Sequence, residues 1–428
     1  MTTTTPTAGT LRQALTLCMA VQFGLLLVPR QCAVAEAPAA ASHFYLHDGD
    51  RVVCYGDSIT EQGYYTLPIE TFVRTRCTDL KVSFINSGWS GDRAWGGEGG
   101  ALDERLQRDV IAHRPTVVTV LLGMNDGYYT NYDPKAVTAF QESLDQLIDT
   151  LEHALPGVRI TLIGTSPYDN VTPGDQPDWE QGIEGGYNAV VTRFSAATRE
   201  TADRRGLVFV DMNEPLVQLL THVQATNPEL ARQLIPDRIH PGSAAGLVMA
   251  ARLLAAWNAP ATGHSTHVDA TGTAGGVCRV RQELPLPFSP DRNDPLTQLV
   301  AATSPDLKLF AGDTLRVTRL PFAKASLEID GDEVGTFSAA QLAAGVELSA
   351  LDTPLARRAA EVAKLIRLRN QLRFNRWRNL QVPFPDEPPP GVKQAAAELA
   401  AMEQELAALV ETAASPAPHT IELSATEQ

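Results

Sequence analysis

From residue 51 onward, short apolar runs rich in β-branched residues alternate with stretches whose apolar positions recur every three or four residues. That rhythm predicts buried parallel strands separated by amphipathic helices. Five runs read as strands: 51–55, 81–85, 116–122, 159–164 and 207–210. Each is nearly all apolar, as a strand covered on both faces must be. Between them Leu102, Leu106, Val110 and Ile111 share one helical face, and Phe140, Leu144, Leu147 and Leu151 share another. A helix over 244–257 closes this α/β domain, predicted to span 44–258.

After Trp257 the pattern breaks into small and polar residues, so 259–276 reads as a linker. A smaller β-rich unit is predicted over 277–352, with a strand at 315–320 and a hairpin whose arms, 327–329 and 333–337, flank an Asp330-Gly331 turn. A long helix follows over 354–378, carrying Leu355, Val362, Leu365, Ile366, Leu368 and Leu372, and stops before a proline-rich break at 383–390. Leu399, Met402, Leu406 and Leu409 then recur at 3-4-3 spacing, which predicts a helical hairpin over 353–412. Residues 413–428 read as a tail.

At the other end, Arg12 precedes a mostly apolar run at 14–28, and Ala33-Val34-Ala35 supplies small residues for cleavage. Residues 1–35 therefore read as a secretory signal peptide, with an uncleaved anchor as the alternative, and export is expected. No apolar run attains the roughly 18–20 residues of a membrane span, so none is expected once the leader is gone. Thirty-five Lys+Arg against fifty Asp+Glu give a formal charge of −15, which excludes a phosphate-neutralising surface and so nucleic acid as a partner. Cys54, Cys77 and Cys278 are too few for a disulfide scaffold; a Cys54–Cys77 bridge competes with the more frequent use of buried thiols as small hydrophobes. No His, Cys or acidic cluster has metal-ligand spacing, and Gly96–Gly100 lacks the Lys-Ser/Thr of a phosphate loop, so no cofactor is expected.

The chemistry-bearing residues fall at strand ends, where open α/β sheets place their sites. The first strand runs into Gly56-Asp57-Ser58-Ile59-Thr60, so Ser58 is either a helix cap or a nucleophile. Position 60 is Thr, so this is no Gly-x-Ser-x-Gly elbow. A serine nucleophile needs a base, and the base needs an orienting group on its other nitrogen. Asp237 and His240, three apart in one loop, have the spacing to supply both, although Asp-x-x-His also makes ordinary loop hydrogen bonds. Donors for an oxyanion are offered by the glycines of Asn86-Ser87-Gly88-Trp89-Ser90-Gly91-Asp92 and by the amide of Asn125 in Gly123-Met124-Asn125-Asp126. Asp211 competes for the triad role, with capping of the next helix as the simpler reading.

In that order, the Gly-Asp-Ser-Ile-Thr, Asn-x-Gly-x-x-Gly-Asp, Gly-x-Asn-Asp and Asp-x-x-His-Pro blocks resemble those of the SGNH (GDSL) hydrolases. The resemblance covers about residues 51–257 and implies a flavodoxin-like three-layer fold with strand order 2-1-3-4-5. It also implies Ser58 as nucleophile, His240 as base and Asp237 as its orienter. The Ser58 and Gly91 amides and the Asn125 side chain would then form the oxyanion hole. The second half resembles the C-terminal region of some secreted bacterial members of the family, which brings no function with it.

The expected activity is a secreted serine esterase acting on acyl, chiefly acetyl, esters of carbohydrate. Trp89, Trp95, Tyr64 and Tyr128 are candidates to stack on sugar rings. A glycan O-acyltransferase with the same triad and a non-catalytic glycan-binding or envelope protein are the alternatives. Eight basic residues between Arg357 and Arg378 suit either an acidic glycan or, more simply, the chain's own acidic domain.

Overall fold

A computed structural model of the chain describes residues 43–426, apart from 175–176, 261–264, 272–275, 289–292 and 311. The predicted leader lies outside the described residues. Strands β1 (Arg51–Gly56), β2 (Ser83–Gly88), β3 (Val117–Leu121), β4 (Arg159–Ile163) and β5 (Val208–Val210) form one sheet in the order β2-β1-β3-β4-β5, every pairing parallel. β1 and β3 are buried almost without a break because helices cover both faces. Helices α2 (Thr66–Arg76) and α7 (Ser243–Ala256) pack together; α3 (Leu102–Asp109), α4 (Pro134–Ala154) and α5 (Tyr187–Arg205) form the other layer. The four-residue α1 (Ser58–Glu61) and the longer α6 (Asn213–Thr226) start just past the C-terminal ends of β1 and β5.

β2 lies further along the chain than its apolar run, 83–88 against the predicted 81–85. Its polar end is tolerated inside because each group finds a partner: Ser87 Oγ donates to Asp109 O at 2.7 Å, and Asn86 Nδ2 donates to the carbonyl of Thr60. Two glycines then let α1 lie against the strand ends. A Cβ at Gly56 would stand 3.0 Å from Thr60 Cβ, and one at Gly88 would stand 2.6 Å from Glu61 Cα. Any side chain there would push α1, and Ser58 with it, off the sheet.

The second half corrects two boundaries. The predicted linker contains β6 (Ser265–Asp269), which pairs in parallel with β8 (Thr314–Thr318), burying Thr266 and Val268 on alternate positions; β7 (Val277–Leu284) lies between them in sequence. The predicted tail contains β12 (Ala417–Ala425), the longest strand, inserted between β9 (Lys324–Ile329) and β7. Its two faces alternate, with His419, Ile421 and Leu423 buried, a period-2 pattern that polar neighbours disguise in the sequence. The hairpin of β9 with β10 (Asp332–Ser338) turns at Asp330 and Gly331, both at positive φ (55° and 86°), as a tight two-residue hairpin turn requires. A short β11 (Val346–Glu347) edges the sheet of β6 and β8.

Helices α8 (Pro354–Phe374) and α9 (Pro390–Ala414) form the predicted hairpin, and α8 runs into a π turn at Asn375–Gln381. The basic face of α8 meets the acidic domain. Arg369 pairs with buried Glu70 of α2 at 2.6 Å, and Trp377 Nε1 donates to Asp109 at 2.7 Å. Arg76 of α2 reaches back in a two-pronged pair with Asp313, both bonds 2.9 Å, while Phe72 makes edge contacts with Phe288 and Phe310. Both halves thus belong to one unit, His43–Gln428. Cys54, Cys77 and Cys278 are free thiols, which corrects the Cys54–Cys77 alternative.

Candidate active site

At the C-terminal end of β1, Asp57 caps α1 by accepting Ile59 N–H at 2.9 Å, leaving Ser58 as the first helical residue. Ser58 Oγ is 2.7 Å from His240 Nε2, and His240 Nδ1 is 2.6 Å from Asp237 Oδ2. The other Asp237 oxygen accepts the main-chain N–H of Ile239 (3.0 Å) and of His240 (2.8 Å), so one carboxylate fixes both the loop and the imidazole. Partial burial alone would raise the Asp237 carboxyl, but the hydrogen bonds from His240 and Ile239 outweigh it and hold it below the ordinary carboxylate range. Such a pair is placed to take a proton from the serine and to stabilise the imidazolium that results.

Two strand ends flank that serine. Gly91 follows β2 at φ +81°. Asn125 follows β3 and is fixed from two sides: its Nδ2 donates to Asp92 O at 3.0 Å, and its Oδ1 accepts Tyr129 Oη at 3.0 Å. An amide nitrogen carries two hydrogens, and the Asp92 bond takes only one.

Residues 54–246 match the GDSL-like lipase/acylhydrolase family. The chain carries a GDSL-like acylhydrolase domain, and it is an ester-hydrolysing enzyme. The acetylxylan esterase of Geobacillus stearothermophilus is 24% identical over 226 residues, 48% of this chain and 93% of that relative. A solved structure of a gut microbial diltiazem-metabolizing enzyme, 23% identical, superposes with a TM-score of 0.72 over 91% of this chain and all of its own. That likeness is one of fold, and it extends through the C-terminal half.

The acylhydrolase domain surrounds the serine with buried carboxylates that the sequence did not single out. Burial pushes Asp57 up to about 8, against the pull of its Ile59 hydrogen bond and helped by the charges of Asp126 and Asp92. Asp126 is pushed by burial to about 7 although Ala94 N–H bonds to it at 2.9 Å. Among the described residues, one oxygen of each has no hydrogen-bond partner. Asp92 is also raised by burial, but fully buried Arg105 offsets much of that by pairing with it at 2.6 Å and with Asp109 beside it. Family motifs name Asp57 and Asp126; only packing shows that they lie out of water.

The acylhydrolase's aromatic candidates separate. Trp95, Tyr128 and Tyr64 are about half exposed, and the Arg93 guanidinium sits 5.6 Å from the Trp95 ring and 4.7 Å from the Tyr128 ring while its Nε donates to Asn125 O at 3.1 Å. Trp89 is a correction. It is buried, with the Arg378 guanidinium 3.0 Å above its ring and Trp377 edge-on at 5.6 Å, so its faces meet protein rather than ligand. Asp211 accepts Asn213 N–H at 2.9 Å at the start of α6 and is a capping residue.

One contributor carried no sequence signal. Arg238 holds φ +70° between Asp237 and His240, and it exchanges bonds with Asp169: Asp169 N–H donates to Arg238 O (2.8 Å) and Arg238 Nη1 donates to Asp169 O (2.7 Å). Buried Asp169 thus supports the strained loop that carries Asp237 and His240 from a segment 69 residues away. Among the described residues, no group of three or more His, Cys, Asp or Glu is placed to hold a metal, and no helix is long and apolar enough to cross a membrane.

Proposed function

We propose that this protein is an exported serine esterase that removes acetyl groups from carbohydrate esters through an acyl-enzyme. The observation that carries the reading is the unbroken line of hydrogen bonds from Ser58 Oγ through His240 to Asp237, 2.7 and 2.6 Å long. Ser58 Oγ attacks the ester carbonyl as His240 Nε2 takes its proton, and Asp237 holds the ring and the charge it acquires. The carbonyl oxygen becomes an oxyanion that accepts from the Ser58 and Gly91 amides and from Asn125 Nδ2, donors worth about 2.7–4 kcal/mol each. His240 returns the proton to the departing sugar hydroxyl. It then activates a water that cleaves the acyl-serine, releases acetate and restores the serine.

The substrate class rests on two supports: the similarity to an acetylxylan esterase, and the exposed rings of Trp95, Tyr128 and Tyr64, suited to stacking on sugars. Hydrolysis is favoured over acyl transfer by the openness of the triad. The side chains of His240 and Asp237 are 25% and 55% exposed, and transfer to a glycan needs water kept out. Export is read from the leader pattern at 1–35.

The test is acetate release from p-nitrophenyl acetate and from acetylated xylan, pectin and chitin fragments, with Ser58→Ala beside the parent protein. Turnover that falls at least about 10³-fold in Ser58→Ala, with acetylated xylan fragments among the best substrates, is expected. Turnover that survives the substitution would overturn the mechanism, and equal silence of both proteins on every ester would overturn the activity.

A further inference from the structure

We infer that the C-terminal helical hairpin is part of the working active site, with Arg378 a positioning residue for the loop that presents the Gly91 amide; the inference rests on the esterase reading above. The loop in question is Trp89-Ser90-Gly91, and the π turn after α8 holds Trp89 directly and reaches Ser90 through Glu61. Arg378 lays its guanidinium 3.0 Å over the Trp89 ring. Its Nη2 also stands 3.5 Å from Glu61 Oε2, the same oxygen that accepts Ser90 N–H at 2.7 Å. Glu61 ends the four-residue helix that Ser58 begins, so a single guanidinium ties the nucleophile's helix to the oxyanion loop.

The neighbouring residue of the same turn reaches the other donor. Trp377 Nε1 donates to Asp109 at 2.7 Å, Asp109 pairs with Arg105, and Arg105 Nε donates to Asp92 Oδ2 at 2.6 Å. The main-chain oxygen of Asp92 accepts from Asn125 Nδ2. Two adjacent side chains of the second half therefore lead, by separate routes, to the two donors lying beyond the serine itself. Mere attachment of the hairpin would not need this arrangement. Apolar residues could seat it without desolvating a guanidinium, whereas charged, directional contacts fix a loop's geometry. A π turn in a long helix is itself a device that recurs at functional sites.

Misplacing a donor by a fraction of an ångström weakens the transition state more than the bound substrate, so the effect belongs in kcat. Arg378→Ala is expected to lower kcat on p-nitrophenyl acetate by about 10- to 100-fold while KM stays within about twofold. Arg378→Lys should recover part of the loss, since an ammonium still meets Glu61 but does not cover the indole face. Arg376→Ala is the stability control. It breaks the pair with Glu403 inside the hairpin, and it should lower Tm while leaving kcat unchanged.

Glu61→Ala removes both the Ser90 acceptor and the ion-pair partner of Arg378, leaves Arg378 on the Trp89 ring, and should reproduce the kcat loss. The double variant should fall little below the worse single one, because the two residues act through one loop. Should Arg378→Ala fail to fold, Arg378→Lys and Glu61→Ala carry the same kcat test. The inference is overturned if these variants keep kcat within about twofold of the parent while Ser58→Ala is inactive, because the hairpin would then be structural only. Activity retained by Ser58→Ala would instead strike the esterase reading on which it rests.

Discussion

Asp237 shows how much one carboxylate decides here, because it accepts from a ring nitrogen and from two main-chain N–H groups at once. In Asp237→Asn the amide oxygen can keep the main-chain bonds, but the NH2 group then donates to Nδ1 and moves the imidazole proton onto Nε2, where it cannot accept from Ser58. A fall in kcat of about 10³- to 10⁴-fold with an unchanged fold is expected, measured by ester turnover and circular dichroism. Asp57 has the opposite electrostatics. Its carboxyl lies near 8 in the folded chain against an ordinary value of 3.8, so the folded state binds its proton more tightly than the unfolded state does. The favourable contribution is fully present below about pH 4 and is lost as pH rises through about 8, the reverse of a salt-bridged aspartate. Asp57→Asn keeps an oxygen for Ile59 N–H and removes the ionisation. The fall in Tm between pH 5 and pH 8 should shrink by at least about 1 °C, the shift that ~1 kcal/mol produces in a chain of this size. Parallel Tm curves for the two proteins would refute the assignment. Both aspartates are visible in the motifs, yet only burial and hydrogen-bond partners, set by the fold, separate the lowered carboxyl from the raised one.

At the scale of elements, the strands that could be read were those whose apolar residues are contiguous. β1, β3 and β4 lie within a residue or so of their predicted positions because burial on both faces leaves no room for polar alternation. β2 extends past its apolar run because its last residues are Asn86, Ser87 and Gly88, whose polar groups are satisfied by partners in α1 and α3 that no local pattern contains. β6 and β12 carry the pattern of a linker and a tail for a related reason. Each buries only alternate residues, and the strands that cover them lie far away in sequence: β8 for one, β7 and β9 for the other. A chain ending at residue 414 should therefore do more than lose a loose end. It would expose the facing edges of β7 and β9 and the apolar side chains beneath Ile421 and Leu423. A clear drop in Tm and a shift to large species in size-exclusion chromatography are expected; an unaltered profile would show the strand to be dispensable.

For the molecule as a whole, the two halves share surfaces that neither could leave in water. Phe72 of α2 is fully buried against Phe288 and Phe310, and Glu70 beside it, also buried, pairs with Arg369. A fragment covering residues 43–258 would expose that aromatic face and leave Glu70 without its charge partner from α8, so it should be poorly soluble despite containing the whole family domain. Expression of that fragment beside the intact chain checks this, and a soluble, active fragment would refute it. The sequence by itself determined the parallel sheet and the order of its motifs, and through their resemblance pointed to Ser58, His240 and Asp237, because contiguous burial and motif spacing are local properties of a chain. Tertiary structure alone decided which carboxylates are out of water, which tryptophan stays exposed and which packs against protein, and that Trp377 and Arg378 of the far half of the chain meet Asp109 and Trp89. Those outcomes depend on residues hundreds of positions apart meeting in a low-dielectric interior, where a missing or added partner changes the protonation and orientation of the groups around the serine.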